Sequence, residues 1–322
     1  MNANKNQIFN NIPKDELRVI TKAAWLYYMQ RMTQNEIAQE LNCSRVKITR
    51  LISRAKSMGI VDINIIQPPG LFVDLEQALI SRYNLKDTVI TMDVGTGEPL
   101  REILARAAAD WLLPQLHSEL VVGFSLGRTL AKIPEFMQPL EKSGVNFIEV
   151  MGASDSLTSG FNSYRVIGRM AEACGGQARL LDVPTFVSNQ SIRNMLLKEE
   201  RIAKRFSMAR NCEILLTSVG TVDKEALLYQ IGYLNDEIID QLNQDNAIGD
   251  LLGQYFDANG NPIPNPLNDR VMALKLQDLK KIPYSVLISG GKDKHQAIKA
   301  AITGKFVNVL ITDISTAKTL LV

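Results

Sequence analysis

Apolar residues recur at helical spacing through the first 60 residues of the chain. They mark one side of a first helix over Leu17–Tyr28, which can close the core of a three-helix domain. We expect the aromatic residues of this helix in that core. A second helix is predicted to begin at Thr33, because Thr33 and Glu36 have the spacing of a capping box. Ser44 offers a cap for a third helix, and Gly59 favours the left-handed backbone that ends one. The third helix has four apolar residues on one face, namely Ile48, Leu51, Ile52 and Ala55.

The short turn between the second and third helices is typical of a helix-turn-helix DNA-binding motif. The face that the apolar residues leave free is basic early in the third helix, where side chains reach base edges and Arg pairs with guanine. We therefore predict six DNA-binding residues: Gln34, Ser44, Arg45, Lys47, Thr49 and Arg50.

The polar and apolar residues of IVDINI, at positions 60–65, alternate and predict a strand, the wing of a winged helix-turn-helix. Two prolines and a glycine at 68–70 then break regular structure. Apolar residues recur at helical spacing again from Leu71 to Tyr83. The sequence therefore predicts a DNA-binding domain at 1–66, a linker and dimerisation helix at 67–84, and a further domain at 85–322.

From Leu85 onward, short apolar runs rich in Val and Ile alternate with amphipathic helical stretches such as 99–113 and 191–206. This alternation is typical of a parallel sheet with helices on both faces, so the fold class is α/β and the second domain is doubly wound. The predicted strands are 88–92, 119–124, 146–151, 178–181, 213–219, 284–289 and 307–312.

Glycines and hydroxyl side chains follow four of these strands, at 123–129, 152–156, 220–224 and 290–294. Ligands of doubly wound folds bind at the carboxyl ends of the strands. Glycine lets the backbone approach a ligand closely, and hydroxyls and main-chain N–H groups donate to oxyanions. These loops predict a cleft for a phosphorylated sugar, and four of their residues are assigned to it: Gly152, Ala153, Ser154 and Gly220.

Composition and charge agree with a two-domain protein. Residues 1–66 contain ten Lys/Arg and five Asp/Glu, whereas the remainder contains 26 and 29, so the basic excess lies on the predicted DNA-binding domain. The longest apolar runs are shorter than the roughly 18 residues of a transmembrane helix, and no secretory signal is evident, so we expect a cytoplasmic protein. Cys43, Cys174 and Cys212 form no CxxC pair, and we expect neither a metal nor a cofactor.

Some of the same residues also match motifs of enzymes. Gly123, Ser125 and Gly127 match the GxSxG nucleophile elbow of hydrolases, but the only later histidine is His295, which we expect on the surface. No GxGxxG dinucleotide motif opens a helix after the first predicted strand. A sugar-phosphate isomerase or deaminase carrying a DNA-binding domain remains an alternative, because its phosphate loops would look alike.

The chain resembles the SorC family of bacterial sugar-responsive transcriptional regulators. The resemblance covers nearly the whole chain and rests on the helix pair at 33–59, VVGFSLGRT, GDLLGQYFDANG and SGGKDKHQAIKAAITGKFVNVLITD. It implies a tetramer that binds operator DNA, with an effector domain similar to sugar-phosphate isomerases that senses a phosphorylated sugar without converting it. By position in these motifs it also implies seven effector-binding residues: Phe124, Ser125, Gly127, Arg128, Thr129, Asp250 and Lys294.

Overall fold

The computed structural model describes residues 13–61, 71–138, 144–153 and 163–322, apart from the side chain of Ser163. Its contacts divide the chain into two compact units, residues 1–68 and 69–322. None of the described helices is both long and apolar enough to cross a bilayer.

Unit 1 has three described helices, as the apolar spacing predicts. The capping box is confirmed, since the Thr33 hydroxyl accepts from the Glu36 amide and the Glu36 carboxylate accepts from the Thr33 amide at 2.7 Å. Ser44 caps the third helix, and Gly59 after it has a φ of +66°. The helices are α1 (Lys14–Tyr28), α2 (Gln34–Glu40) and α3 (Arg45–Ser57).

The core of unit 1 forms where α1 and α2 pack against α3. The four apolar residues predicted for the buried face of α3 are all buried there. Placing Trp25 in this core is wrong, because it is 51% exposed. It follows the buried Ala24 directly, and successive helical residues point about 100° apart. The predicted wing strand falls mostly on residues outside the described ranges.

Unit 2 contains one seven-stranded sheet, and the ends of every predicted strand lie within two residues of their predicted positions. The described strands are β1 (Asp87–Thr91), β2 (Val121–Phe124), β3 (Asn146–Glu149), β4 (Gln177–Arg179), β5 (Ile214–Thr217), β6 (Gly249–Leu251), β7 (Gln254–Phe256), β8 (Tyr284–Ile288) and β9 (Val309–Asp313). In the sheet all neighbouring strands are parallel, in the order β1-β9-β8-β5-β2-β3-β4. A two-stranded antiparallel hairpin, β6 with β7, lies outside this sheet.

Both faces of the sheet are covered, which confirms the doubly wound α/β fold. Ile214 and Leu216 of β5 point into one apolar cluster, and Leu215 between them points into another. The described α-helices of unit 2 are α4 (Val73–Tyr83), α5 (Glu98–Leu112), α6 (Ser163–Ala173), α7 (Gln190–Leu196), α8 (Glu200–Arg210), α9 (Leu227–Gln230), α10 (Asp236–Gln244), α11 (Leu276–Leu279), α12 (His295–Thr303) and α13 (Ile314–Leu321).

Two details differ from the sequence-based expectation. The single helix predicted over 191–206 is two helices, because Glu199 adopts an extended backbone and becomes the N-cap of α8. A nucleophile elbow at residues 123–127 would be followed by an α-helix, whereas the segment after β2 forms a 3-10 helix, Leu130–Glu135. Two further 3-10 helices are described: Leu113–Gln115 follows α5, and Lys292–Lys294 precedes α12 directly.

Candidate functional site

The basic face of α3 is exposed where the sequence predicts DNA contact. Ser44 starts the helix by accepting from the Lys47 amide at 3.3 Å. Burial of the apolar face turns the side chains of Arg45, Lys47 and Arg50 to solvent. No described carboxylate forms an ion pair with these three, whereas Arg54, later in the helix, pairs with Glu16. Three unpaired cations in the first two turns are suited to bases and phosphates.

The remaining predicted DNA-binding residues also lie on this surface. The Thr49 hydroxyl donates to the Gln34 side chain at 2.9 Å and thereby joins α2 to α3. Val46, which the sequence reasoning left out, is 61% exposed between Arg45 and Lys47. An exposed apolar residue between two cations on such a helix can contact a thymine methyl group. The sequence could have indicated this, because Val46 is apolar but does not belong to the helical spacing of the buried face of α3.

A cavity of about 540 Å³ in unit 2 lies at the carboxyl ends of the sheet strands. β2 and β5 are neighbours in the sheet, and the chain leaves them in opposite directions. The next sheet strand after β2 is β3, on one side of the pair, and the next after β5 is β8, on the other side. Such a reversal marks the ligand crevice of a doubly wound fold. The loops after β2 and β5 both line this cavity, as do those after β1 and β8.

Six of the residues predicted for effector binding line this cavity. They come from the loop after β2, the loop after β5, the β6–β7 hairpin and the turn after β8, and they are Gly127, Arg128, Thr129, Gly220, Asp250 and Lys294.

Four other predicted effector residues do not line this cavity. Phe124 is the last residue of β2 and points into an apolar cluster, and the buried Ser125 hydroxyl donates to Thr217 at 3.2 Å. Gly152 and Ala153 continue β3 past the sheet and pack on Pro184, whose oxygen would lie 2.3 Å from a Cβ on Gly152. Adjacent residues of extended chain point to opposite sides, and the sequence alone did not show which side is the cavity. Ser154 lies outside the described residues.

Asp250 is fixed in the cavity wall by the backbone of Gly220. The two residues exchange backbone hydrogen bonds of 3.0 and 3.2 Å, and the Asp250 carboxylate accepts from the Gly253 amide at 2.9 Å. A Cβ on Gly220 would lie 2.0 Å from the Asp250 Oδ1, so a side chain at this position would displace the carboxylate. Burial raises the pKa of the Asp250 carboxyl to about 6, although the Gly253 hydrogen bond and the Lys294 charge oppose this rise. The Asp250 carboxylate is therefore a poorly hydrated acceptor.

Lys294 supplies a cation to the same wall. Its Nζ donates to the Val219 oxygen at 2.9 Å, and its ammonium is stabilised by Asp293 and Asp250. Burial lowers the pKa of Lys294, and the nearby charges of Arg128 and Arg101 lower it further. Because Arg128, Arg101 and Lys294 repel one another, an anion bound among them would relieve that repulsion.

Arg128 and Arg101 are held by different partners. The half-buried Arg128 guanidinium donates to the Gln230 side chain at 2.9 Å and to the main-chain carbonyl of Glu225, whereas Arg101 pairs with the Glu98 carboxylate at 3.0 Å. Burial lowers the pKa of Arg128, with the charge of Arg101 as the next cause. The sequence reasoning missed Arg101 and the loop after β1. The sequence could have indicated this loop, because Gly95 and Gly97 precede a helix that has a proline in its first turn.

The arrangement supports binding better than hydrolysis. The Ser125 hydroxyl is buried against Thr217, and no described histidine accepts a hydrogen bond from it, so the described residues do not form a serine–histidine pair for hydrolysis. His295 is half-buried, not on the open surface as expected, and its Nε2 has no hydrogen-bond partner. The cavity instead combines clustered cations with a buried carboxylate, which suits a ligand that carries both an anionic group and hydroxyl groups.

Comparison with known proteins identifies related chains across almost the whole length. The family described as "Putative sugar-binding domain" matches residues 68–322. The Bacillus subtilis deoxyribonucleoside regulator is 33% identical over 311 residues, covering 95% of this chain and 98% of that one. The Brucella abortus erythritol catabolism regulatory protein EryD is 31% identical over 307 residues, covering 93% and 95%. The crystal structure of the full-length Klebsiella pneumoniae sorbitol operon regulator SorC superposes with a TM-score of 0.72 at 27% identity, covering 96% and 100%.

Proposed function

The chain belongs to the SorC family of sugar-responsive transcriptional regulators, and from this premise we propose how it works. Unit 1 binds operator DNA of a carbohydrate-utilisation operon through α3, and the cavity of unit 2 binds a phosphorylated sugar or polyol. Occupancy of the cavity changes the DNA affinity of unit 1, because the ligand binds the DNA-competent and DNA-incompetent states with different affinity. The protein acts in the cytoplasm, where both partners occur.

The observation that carries this proposal is the pairing of Asp250 with the cation cluster in one cavity. Arg128, Arg101 and Lys294 attract the ligand phosphate, and Asp250 accepts from its hydroxyl groups. Gly127, Thr129 and Gly220 form the neighbouring wall, where main-chain and hydroxyl groups can approach the ligand. Phe124, Ser125, Gly152 and Ala153 act behind this wall as packing residues.

A thermal-shift panel of phosphorylated sugars and polyols tests ligand binding. A ligand that binds only the native state raises its melting temperature. Deoxyribose 5-phosphate, erythritol 4-phosphate and sorbitol 6-phosphate belong in the panel beside their unphosphorylated forms. We expect a phosphorylated member to stabilise the protein and its unphosphorylated form to fail. Stabilisation by neither form of any compound would contradict the proposal.

The same incubations test the enzymatic alternative. A carboxyl with a pKa of about 6 beside a lysine could serve as a general base, so the Asp250 site favours turnover more than the sequence did. We expect each sugar phosphate to be recovered unchanged. Sustained product formation that Asp250→Asn abolishes would show an isomerase or deaminase instead.

The proposed assembly is a tetramer in which two pairs of unit 1 contact the operator. The resemblance to the family supports this assembly, and light scattering on the purified protein tests it. A monomeric mass at micromolar concentration, with and without DNA, would contradict it.

A further inference from the structure

The C-terminal helix α13 contacts a loop of the cavity at its first turn. Its N-cap, Asp313, accepts from the Thr316 amide at 2.9 Å and from the Thr316 hydroxyl at 2.6 Å. The amide of Gly291, in the cavity loop, donates to the Asp313 carboxylate at 2.9 Å and lies 3.1 Å from the Thr316 hydroxyl oxygen. One carboxylate and one hydroxyl therefore join the helix cap to the loop that carries Lys294.

This junction is packed without free space. Asp313 is 3% exposed and Thr316 is fully buried. A Cβ on Gly290 would lie 2.2 Å from the Asp313 carboxylate, and Gly291 has a φ of +98°, which favours glycine. The loop cannot shift relative to α13 without breaking hydrogen bonds to a buried carboxylate, which is costly.

The last turn of α13 contacts the helix that opens unit 2. The Tyr83 hydroxyl donates to the Leu320 oxygen at 2.7 Å, and the Arg82 guanidinium donates to the Leu321 oxygen. These are terminal carbonyls of α13, which lack partners within the helix. Both donors belong to α4, the first described helix after the segment that joins unit 1 to unit 2.

We propose that Asp313 and Thr316 position the cavity loop and that α13 couples this loop to α4. The helix has eight residues, a rod of about 12 Å, with hydrogen bonds to the loop at one end and to α4 at the other. A ligand that moves Lys294 therefore moves α4, and the coupling is reciprocal. That the loop responds to an effector rests on the proposed function. The mechanical coupling itself does not need a ligand.

Amide hydrogen exchange of the full-length, ligand-free protein tests the coupling from both ends. Thr316→Val removes the hydroxyl at the loop, and Tyr83→Phe removes the hydroxyl at α4. We expect Thr316→Val to speed exchange in α4, and Tyr83→Phe to speed exchange in residues 289–294, each about threefold or more, as loss of one hydrogen bond implies. Thr319→Val is the matched control, because the Thr319 hydroxyl bonds only to the Ser315 oxygen within α13.

The proposal is overturned if each variant speeds exchange only beside its own substitution, or if Thr319→Val has the same remote effect. If Thr316→Val does not fold, Tyr83→Phe alone tests the proposal. This substitution lies on α4, whereas the exchange that it should speed is measured in the loop at residues 289–294. If the coupling is absent, phosphorylated ligands can still raise the melting temperature in the thermal-shift panel. Failure of the coupling is therefore distinguishable from failure of the proposed effector binding.

Discussion

Gly220 and Asp250 exchange two backbone hydrogen bonds that fix a buried carboxylate in the wall of the cavity. Because a side chain on Gly220 would overlap this carboxylate, the two positions depend on each other. The cavity's acceptor is therefore placed by a contact between the loop after β5 and a short hairpin that is not part of the main sheet.

Gly220→Ala should displace the Asp250 carboxylate and destabilise unit 2. The added Cβ overlaps the carboxylate, and overpacking of this kind costs about 1–3 kcal/mol. The free energy of unfolding in urea measures this loss. Gly168→Ala is the control, since a Cβ there meets no atom within 4 Å and alanine favours a helix. Equal stability of the two variants would contradict the assigned contact.

Asp250 should make stability fall as pH rises from about 4 to about 6. The pKa of Asp250 is raised from 3.8 to about 6, so between these values the folded protein binds a proton that the unfolded chain has lost. Above pH 6 the full cost, about 3 kcal/mol, is present. Asp250→Asn lacks this titration, so the difference in unfolding free energy between wild type and variant should change across that window. A constant difference from pH 4 to 7 would contradict the raised pKa.

Lys294→Gln should weaken binding of the phosphorylated ligand found in the panel by about tenfold to hundredfold, the loss expected for one charged hydrogen bond. Isothermal titration calorimetry measures this affinity. Lys299→Gln, at an exposed position on α12, is the matched charge change and should leave the affinity unaltered. Equal effects of the two substitutions would remove Lys294 from the site.

Arg45→Ala and Arg50→Ala should each weaken operator binding by about tenfold to hundredfold without altering ligand affinity. Arg54→Ala is the control on the same helix, because Arg54 pairs with Glu16. Fluorescence anisotropy over a salt series measures both, and binding should fall steeply with added salt. Wild-type affinity in Arg50→Ala would show that α3 is not the recognition helix.

The sheet could be predicted because its strands are buried on both faces and therefore appear as continuous apolar runs. The helices of unit 1 could be predicted because Thr33 and Ser44 are local caps, which depend on residues only three positions away. The break between α7 and α8 could not be predicted, because the apolar spacing is helical on both sides of Glu199 and does not show that the backbone of Glu199 is extended.

Only some of the residues that line the cavity could be predicted from the sequence. Strand ends indicated where the loop at 123–129 and Gly220 lie, since the ends of parallel strands meet at one edge. The resemblance to the family then assigned Arg128 within that loop. Asp250 was identified only by resemblance, because β6 and β7 have three residues each, too few for an alternating pattern. Phe124 was misplaced because the direction of a side chain at a strand end depends on register, which sequence spacing does not fix.

The dissociation constant for operator DNA, with and without ligand, tests the central claim most directly. DNA selected by the protein from a random library provides the operator, and the phosphorylated compound that stabilises the protein provides the ligand. We predict that saturating ligand changes the wild-type dissociation constant by about fivefold or more, in the range of typical allosteric couplings. An unchanged dissociation constant at ligand saturation would contradict the account.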